Sequence, residues 1–374
     1  MARTDPIKEL RRLGQSVWLD ELDRQMIRSG QLARLRDLGV TGVTANPTIF
    51  ARALESSDVY ADEVHERLER GQDPEAMLWD LLIADVQAAA DVFRPVFDRE
   101  DGKDGFVSIE VSPEIAGDTD ATIAAARDLR ARTARPNVMV KIPATPAGLP
   151  AIQAMIAEGA NINVTLIFAV ERYVKVVEAF LSGLEQRRAA GQGVDRVRSV
   201  ASFFVSRVDT KVDRQLEALM DGADEATRGV LEELMGRAAI ANSKLAYEFF
   251  TQLHAGPRWD ALSSAGASVQ RCLWASTSTK NPRYRDTMYV EELIGPATIN
   301  TMPPATFEAF RDHGRAEPTL QRDVEGARRV LDELAKRGID IAAITQELED
   351  EGVEGFAKSY RESIEHLGKV RSAR

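Results

Sequence analysis

Short runs of β-branched and aromatic residues recur along the chain, each bounded by turn-forming positions: SVWLD (16–20), VTGVTAN (40–46), FVSIEV (106–111), VMVKIP (138–143), INVTLIF (162–168), VASFFV (200–205), RCLWAST (271–277) and ATINTM (297–302). Their length and composition predict strands. Between them lie stretches of helical period or helix-forming composition, among them GDTDATIAAARDLRARTA (117–134), VERYVKVVEAFLSGLEQRRAAG (170–191) and DEATRGVLEELMGRAAIANSKLAYEFFTQLHA (224–255). Eight strands alternating with helices predict an α/β chain, and in particular a closed (β/α)8 TIM barrel. Parallel neighbours need crossovers of a dozen residues or more, and closure leaves no exposed edge. An open doubly wound sheet would be expected to carry a Gly-rich turn after its first strand, and none follows SVWLD. Segments 51–105 and 208–270 are long for single crossovers and predict extra helices. After residue 303, FEAFRDHG, TLQRDVEGARRVLDELAKRG and DIAAITQELEDEGVEGFAKSYRESIEHL read as helical. The chain is thus expected to form one barrel domain over 1–374, with the helices of 303–374 packed on its outside.

Alternation within the strands predicts which side chains face the barrel interior. In VMVKIP the set Val138, Val140 and Ile142 is wholly apolar, which turns Met139 and Lys141 inward. By the same parity Ile162, Val164 and Leu166 face outward and Asn163 and Thr165 inward, while Val107, Ile109 and Val111 face outward and Ser108 and Glu110 inward. Asp20, Thr44, Asn46, Ser202 and Phe204 join the inward set, each toward the C-terminal end of its strand, where barrels of this kind hold their active sites. A single polar residue at a strand end is ordinarily a loop hydrogen-bonder. Six strands that agree in placing polar groups at matched heights imply a use for them, because unpaired buried polar groups cost stability.

Composition narrows the function classes. With 44% hydrophobic and 29% charged residues in 374, the chain reads as an ordinary soluble globular protein. No stretch approaches the ~20 apolar residues of a membrane span, and MARTDPIKELRRLG lacks the apolar centre of a signal peptide, so a cytoplasmic location and no membrane partner are expected. The single cysteine, Cys272, and only four histidines argue against a metal site. A net charge of −11 disfavours nucleic acid, and any anionic ligand must be met by local cations.

The lysine in VMVKIPATPAG carries the chemical question. At its ordinary pKa of ~10.4 an amine is neutral in about one molecule in 2,500 at pH 7, and burial lowers that pKa while the nearby Asp20 and Glu110 raise it. Either Lys141 is a salt-bridge partner, or the barrel wall dominates, or one acid is protonated and Lys141 is a nucleophile. An amine beside acids in a closed barrel suits Schiff-base chemistry: Lys141 attacks a ketone, Asp20 takes the substrate hydroxyl proton, and Glu110 with Thr165 holds a water for proton transfers.

Asp20 in WLDEL, VTANPTIF, the strand ending in Glu110, VKIPAT, INVTLIF and ASFFVSRVD together resemble the transaldolase family, and WASTSTKNP with ATINTMP resembles its longer bacterial form. The likeness spans roughly residues 15–310, with motifs on all eight strands in order. It implies transfer of a dihydroxyacetone unit from sedoheptulose 7-phosphate to glyceraldehyde 3-phosphate in the pentose phosphate pathway, with no metal and no organic cofactor. Carried over by position, Lys141 is the Schiff-base lysine, Asp20 the acid/base, and Glu110 with Thr165 the water-holding pair. Asn46, Asn163 and Ser202 match residues that hydrogen-bond the three-carbon unit, and Phe204 an aromatic beside the catalytic water. The sugar phosphate is expected at Arg207 and at a group after WAST. Two residues after Ser276, where shorter family members have arginine, this chain has Ser278, so Lys280 is the expected cation, with Arg283 and Arg285 as substitutes.

The rival readings are a fructose 6-phosphate aldolase-like lyase that releases dihydroxyacetone and a pyridoxal-phosphate barrel enzyme. Such aldolases resemble this chain less, being shorter and carrying Gln and Tyr where it has Glu110 and Phe204. SSAGAS (263–268) precedes the seventh strand and reads as a turn at the opposite end of the barrel; Pro47 is expected to start a helix, and His254 and Cys272 to have packing roles. The C-terminal helices offer a surface on which a homodimer could form.

Overall fold

The computed structural model describes residues 5–45, 47–56 and 58–372. Eight parallel strands close into a barrel in sequence order: β1 Gln15–Leu19, β2 Gly42–Thr44, β3 Val107–Glu110, β4 Val138–Pro143, β5 Ile162–Ile167, β6 Ser199–Phe204, β7 Arg271–Ala275 and β8 Thr298–Met302. The closing pair is β1 with β8, with Trp18 opposite Thr301. All eight expected strands form, and the chain is a (β/α)8 barrel. β2 is three residues where seven were expected: Val40 N–H is taken by the carbonyl of Leu35 at the end of the preceding helix, so the ladder starts late.

The long segments hold the extra helices that their length predicts. Helices Pro47–Ser56, Ala61–Glu69 and Pro74–Arg99 fill the β2–β3 connection, and Ser206–Met220, Glu225–Leu234, Ala238–Leu253 and Pro257–Ser263 fill that between β6 and β7. Pro47 opens its helix as its missing N–H allows. The 224–255 stretch, read as continuous, is broken at Met235–Arg237 because Gly236 adopts a left-handed φ of +70° under the ring of Tyr284, where no side chain fits.

Apolar and polar faces separate as alternation dictates. Val138, Val140, Ile142, Ile162, Val164, Val107 and Ile109 are buried in the main core. Side-chain hydrogen bonds across the interior join Thr44 to Thr301 (2.9 Å), Ser202 to Asn163 (2.7 Å) and Asn163 to Ser108 (3.0 Å). Leu166 departs from the alternation. A register shift between Val164 and Ile167 gives it a φ of +57°, and its side chain meets Gly352 of the last helix instead of lying under the flanking helices. Toward the N-terminal end of the barrel Asp104 accepts from Ser16 Oγ (2.5 Å) and Trp18 Nε1 (2.8 Å).

The C-terminal helices divide in position. Val324–Lys336 packs on Ala238–Leu253. Helix Ile341–Ser372 instead crosses the C-terminal ends of the strands. Arg172 after β5 holds Glu349 (3.1 Å), Lys211 after β6 holds Glu347 (2.7 Å) and Glu351 (2.8 Å), and Arg361 reaches Glu114 after β3 (2.7 Å). Beyond the mouth it docks on the β2–β3 insertion, where Tyr360 donates to Glu75 (2.6 Å) and Leu367 is buried among Tyr60, Val64, Leu68 and Met77. No described helix is long and apolar enough to cross a membrane.

Gly42 lies beside Trp18, the large inward side chain of β1. A Cβ there would sit 2.6 Å from the Trp18 ring and 2.7 Å from the Phe106 carbonyl oxygen. Gly42→Ala is therefore expected to destabilise the barrel by about 1–3 kcal/mol through overpacking. Equilibrium denaturation should show a lowered midpoint, and an unchanged midpoint would mean that the Trp18 layer is loose.

Candidate active site

β4 ends inside the mouth, and the alternation that buries its valines outward points Lys141 at the axis. The side chain is 5% exposed, with Nζ 2.9 Å from Glu110 Oε2 on neighbouring β3 and 3.1 Å from the Ala45 carbonyl oxygen, to which it donates. Glu110 and Lys141 are register partners, as are Lys141 and Asn163, and Pro143 and Thr165. The contact with Glu110 is an ion pair; beyond it, neither Glu110 oxygen nor Thr165 Oγ1, all three buried, is met by a hydrogen bond from the protein. Burial holds the Glu110 carboxyl above the usual range despite the opposing field of Lys141.

Asp20 follows β1, its N–H donating to the Met302 carbonyl (3.0 Å), and its edge reaches the mouth while its carboxyl is enclosed. Thr44 Oγ1 lies 3.1 Å from Asp20 Oδ1 and 2.9 Å from Thr301 Oγ1, so a relay in which Thr301 donates to Thr44 and Thr44 to Asp20 satisfies both hydroxyls. Burial raises the Asp20 pKa to about 6, against the attraction of Lys141, the Thr44 hydrogen bond and the charge of Arg207.

Asn163 is oriented from both sides: its oxygen accepts from Ser202 and its amide donates to Ser108. Phe204 stacks at a tilt on Phe168 (5.2 Å between centroids) and carries the Arg207 guanidinium over its ring at 5.4 Å. Arg207, in the first turn of helix Ser206–Met220, has no carboxylate within 4 Å among the described residues, and burial pushes its pKa down against the fields of Asp20 and Glu351. Ser276, at a left-handed φ of +57°, meets Ser206 Oγ to Oγ at 2.9 Å, which ties the ends of β7 and β6 together.

The structure thus gathers Lys141, Glu110, Asp20, Thr165, Asn163, Ser202, Phe204 and Arg207 at the C-terminal mouth, with Ser276 on the rim. Asn46 lies outside the described residues. Lys280 lies on an exposed loop after β7 and donates to Ser278 Oγ at 2.7 Å. Arg283 is paired with Glu217 (3.2 Å) and Arg285 with Glu291, so of the three cations after β7 only Lys280 is left without a carboxylate among the described residues. Three participants were not singled out as site residues by the sequence reading. Alternation along β8 could have found Thr301, and the hydroxyl beside Arg207 in FFVSRVD could have flagged Ser206. Glu351, opposite the mouth in space, has no local signal.

A buried amine flanked by two acids at the C-terminal mouth of a (β/α)8 barrel defines a site for acid–base and carbonyl chemistry. Comparison with known proteins gives the family. The family model described as Transaldolase/Fructose-6-phosphate aldolase matches residues 17–367, and the chain belongs to this family. It is similar to the protein named Transaldolase in Parafrankia sp. (strain EAN1pec), 47% identical over 373 residues (98% of this chain, 99% of the relative). Proteins of the same name in Acidothermus cellulolyticus (49% over 361 residues; 96% and 95% covered) and Thermobifida fusca (46% over 370; 98% and 99%) are comparably close.

The raised Asp20 pKa has a thermodynamic consequence. Between pH 3.8 and about 6 the folded chain holds a proton that the unfolded chain has released, so Asp20 costs stability as pH rises through that window and the whole cost, up to about 3 kcal/mol, is present above it. Asp20→Asn should therefore raise Tm at about pH 7.5, with the gain shrinking as pH is lowered from 6 toward 4. A lower Tm at neutral pH would mean that Asp20 is net stabilising through Lys141 and Arg207.

Proposed function

We propose that the chain is a transaldolase that moves a dihydroxyacetone unit from sedoheptulose 7-phosphate to glyceraldehyde 3-phosphate through a Schiff base on Lys141. The observation that carries this reading is the buried amine of Lys141, 2.9 Å from Glu110 and within the field of Asp20. A raised-pKa carboxyl in contact with an ammonium in a dry site can accept its proton, because the neutral amine and neutral acid avoid the desolvation that the ion pair suffers. Lys141 then attacks the ketose carbonyl carbon. Loss of that oxygen as water gives an iminium, with Glu110 and Thr165, whose oxygens are met by no other protein hydrogen bond once the Lys141 pair is set aside, holding the water that carries protons to and from it.

With the iminium as electron sink, Asp20 takes the proton of the C4 hydroxyl, the C3–C4 bond breaks, and the aldose phosphate leaves. The enamine that remains on Lys141 attacks the aldehyde carbon of the acceptor, Asp20 returns its proton to the new hydroxyl, and hydrolysis frees the product and the amine. Asn163 and Ser202, already fixed by hydrogen bonds, hold the hydroxyls of the three-carbon unit, as does Asn46. Phe204 keeps the water side of the site narrow. Arg207 takes the phosphate, with Ser276 and Lys280 on the facing rim. The setting is the cytoplasm, consistent with Cys272, a buried free thiol bonded to Tyr173 OH at 3.3 Å.

Borohydride reduction in the presence of fructose 6-phosphate should trap a three-carbon adduct on the peptide containing Lys141, and Lys141→Met should lose both the adduct and turnover while keeping its fold. Trapping elsewhere, or transfer activity in the variant, would overturn the assignment. Because Asp20 must be ionised to accept the hydroxyl proton, kcat/KM should fall on the acid side with an apparent pKa near 6. A profile flat down to pH 5 would exclude Asp20 as the base.

A further inference from the structure

Helix Ser206–Met220 carries Arg207 in its first turn, and on its buried side, one turn apart, Asp209 and Asp213. Both carboxylates are enclosed, and among the described residues neither has a basic side chain within 4 Å. Their oxygens are satisfied in a repeated way. Asp209 accepts the N–H of Ala239 (2.7 Å) and the hydroxyl of Tyr289 (2.8 Å); Asp213 accepts the N–H of Gly236 (3.0 Å) and the hydroxyl of Tyr284 (2.6 Å). The backbone donors sit at the break between helices Glu225–Leu234 and Ala238–Leu253, and the tyrosines belong to the segment that follows β7. That segment also contains Ser276 and Lys280.

A buried carboxylate without a cation is costly unless hydrogen bonds offset its desolvation, so it has no reason to persist where an apolar residue would pack equally well. Two such groups at successive turns, each joined to a tyrosine of the same segment, form a two-point joint. Gly236 completes it: its left-handed backbone lies flat under Tyr284, where a Cβ would come within 2.7 Å of the ring. We propose that Asp209 with Tyr289, and Asp213 with Tyr284, are positioning residues that lock the post-β7 segment onto the helix bearing Arg207 and so fix the spacing of the phosphate-binding groups. The proposal rests on the reading that Arg207 binds the sugar phosphate.

Tyr284→Phe removes one hydroxyl and leaves the ring on Gly236. The kcat/KM of the donor half-reaction should fall on the order of tenfold for fructose 6-phosphate, the loss of one hydrogen bond to a charged group, and stay within about twofold for unphosphorylated fructose. Gly236→Ala, which pushes on the same ring from the other side, should reproduce this selectivity. In an Arg207→Ala background Tyr284→Phe should have no further effect on the phosphorylated donor, the coupling expected of residues that act through Arg207. A variant with lowered Tm but unchanged preference between the two donors, or equal losses on both, would overturn the proposal and leave the joint a purely structural one. If Arg207→Ala itself spares the phosphorylated donor, the phosphate reading fails first; if Arg207→Ala is selective and Tyr284→Phe is not, only the positioning role fails.

Discussion

The ion pair between Lys141 and Glu110, 2.9 Å apart and almost wholly buried, is the constraint around which the interior is arranged. Such a pair is a poor source of stability, because removing two charges from water costs as much as their attraction returns. Stability has to come from elsewhere, and it comes from the outward faces of the same strands: Val138, Val140 and Ile142 on β4, and Val107 and Ile109 on β3, lie in the main core under the helices. Strict alternation lets one short segment serve both ends. Its apolar parity holds the barrel, and its polar parity is free to be expensive.

The polar groups inside the barrel are met to different degrees. At the floor Asp104 pairs with Ser16, Trp18 and Arg271. Above it Ser108, Asn163 and Ser202 satisfy one another. At the mouth the oxygens of Glu110 and Thr165 lack a hydrogen-bond donor from the protein, and Leu166 and Ser276 take left-handed backbone conformations that cost of order 1–3 kcal/mol each in a non-glycine residue; at the other end Gln15, Asn137 and Gln270 also leave a side-chain oxygen unmet, and Ala134 and Ala297 are left-handed. What sets the mouth apart is that its unmet oxygens belong to a carboxylate and a hydroxyl beside a buried amine.

What could be read from sequence follows the range of the interactions that encode it. Eight strands, their order, and the inward direction of Lys141, Glu110, Asn163 and Thr165 all depend on a period of two within a few residues, and each was legible. The break at Gly236 was not, because a glycine inside a helix-forming run is tolerated as often as it terminates the helix. Here Tyr284, distant in sequence, decides the outcome. The path of the last helix was hidden for the same reason: its amphipathic pattern says that one face is buried without saying against what. The ion pairs that steer it across the mouth, Arg172 with Glu349 and Lys211 with Glu351, join residues 177 and 140 positions apart. Likewise nothing local distinguishes Lys280 from Arg283 and Arg285 until Glu217 and Glu291 are seen to occupy the latter two.

That occupancy bears on how a chain of net charge −11 can attract an anionic sugar. Most of its surface cations are spoken for by carboxylates, and an arginine already forked onto a glutamate has little to offer a phosphate. Arg207 differs. Asp20 and Glu351 act on it only through space, its flat face rests on Phe204, and burial removes the water that would otherwise compete for its donors. Burial lowers its pKa, yet a guanidinium starts so high that the charge persists. A partly desolvated cation with no bonded counterion is the strongest electrostatic attractor a local site can present, since low dielectric magnifies its interaction with whatever anion arrives. The acidic surroundings repel anions from the rest of the surface, and on the proposed reading this leaves Arg207, at the mouth beside Lys141, as the cation on which a sugar phosphate would settle.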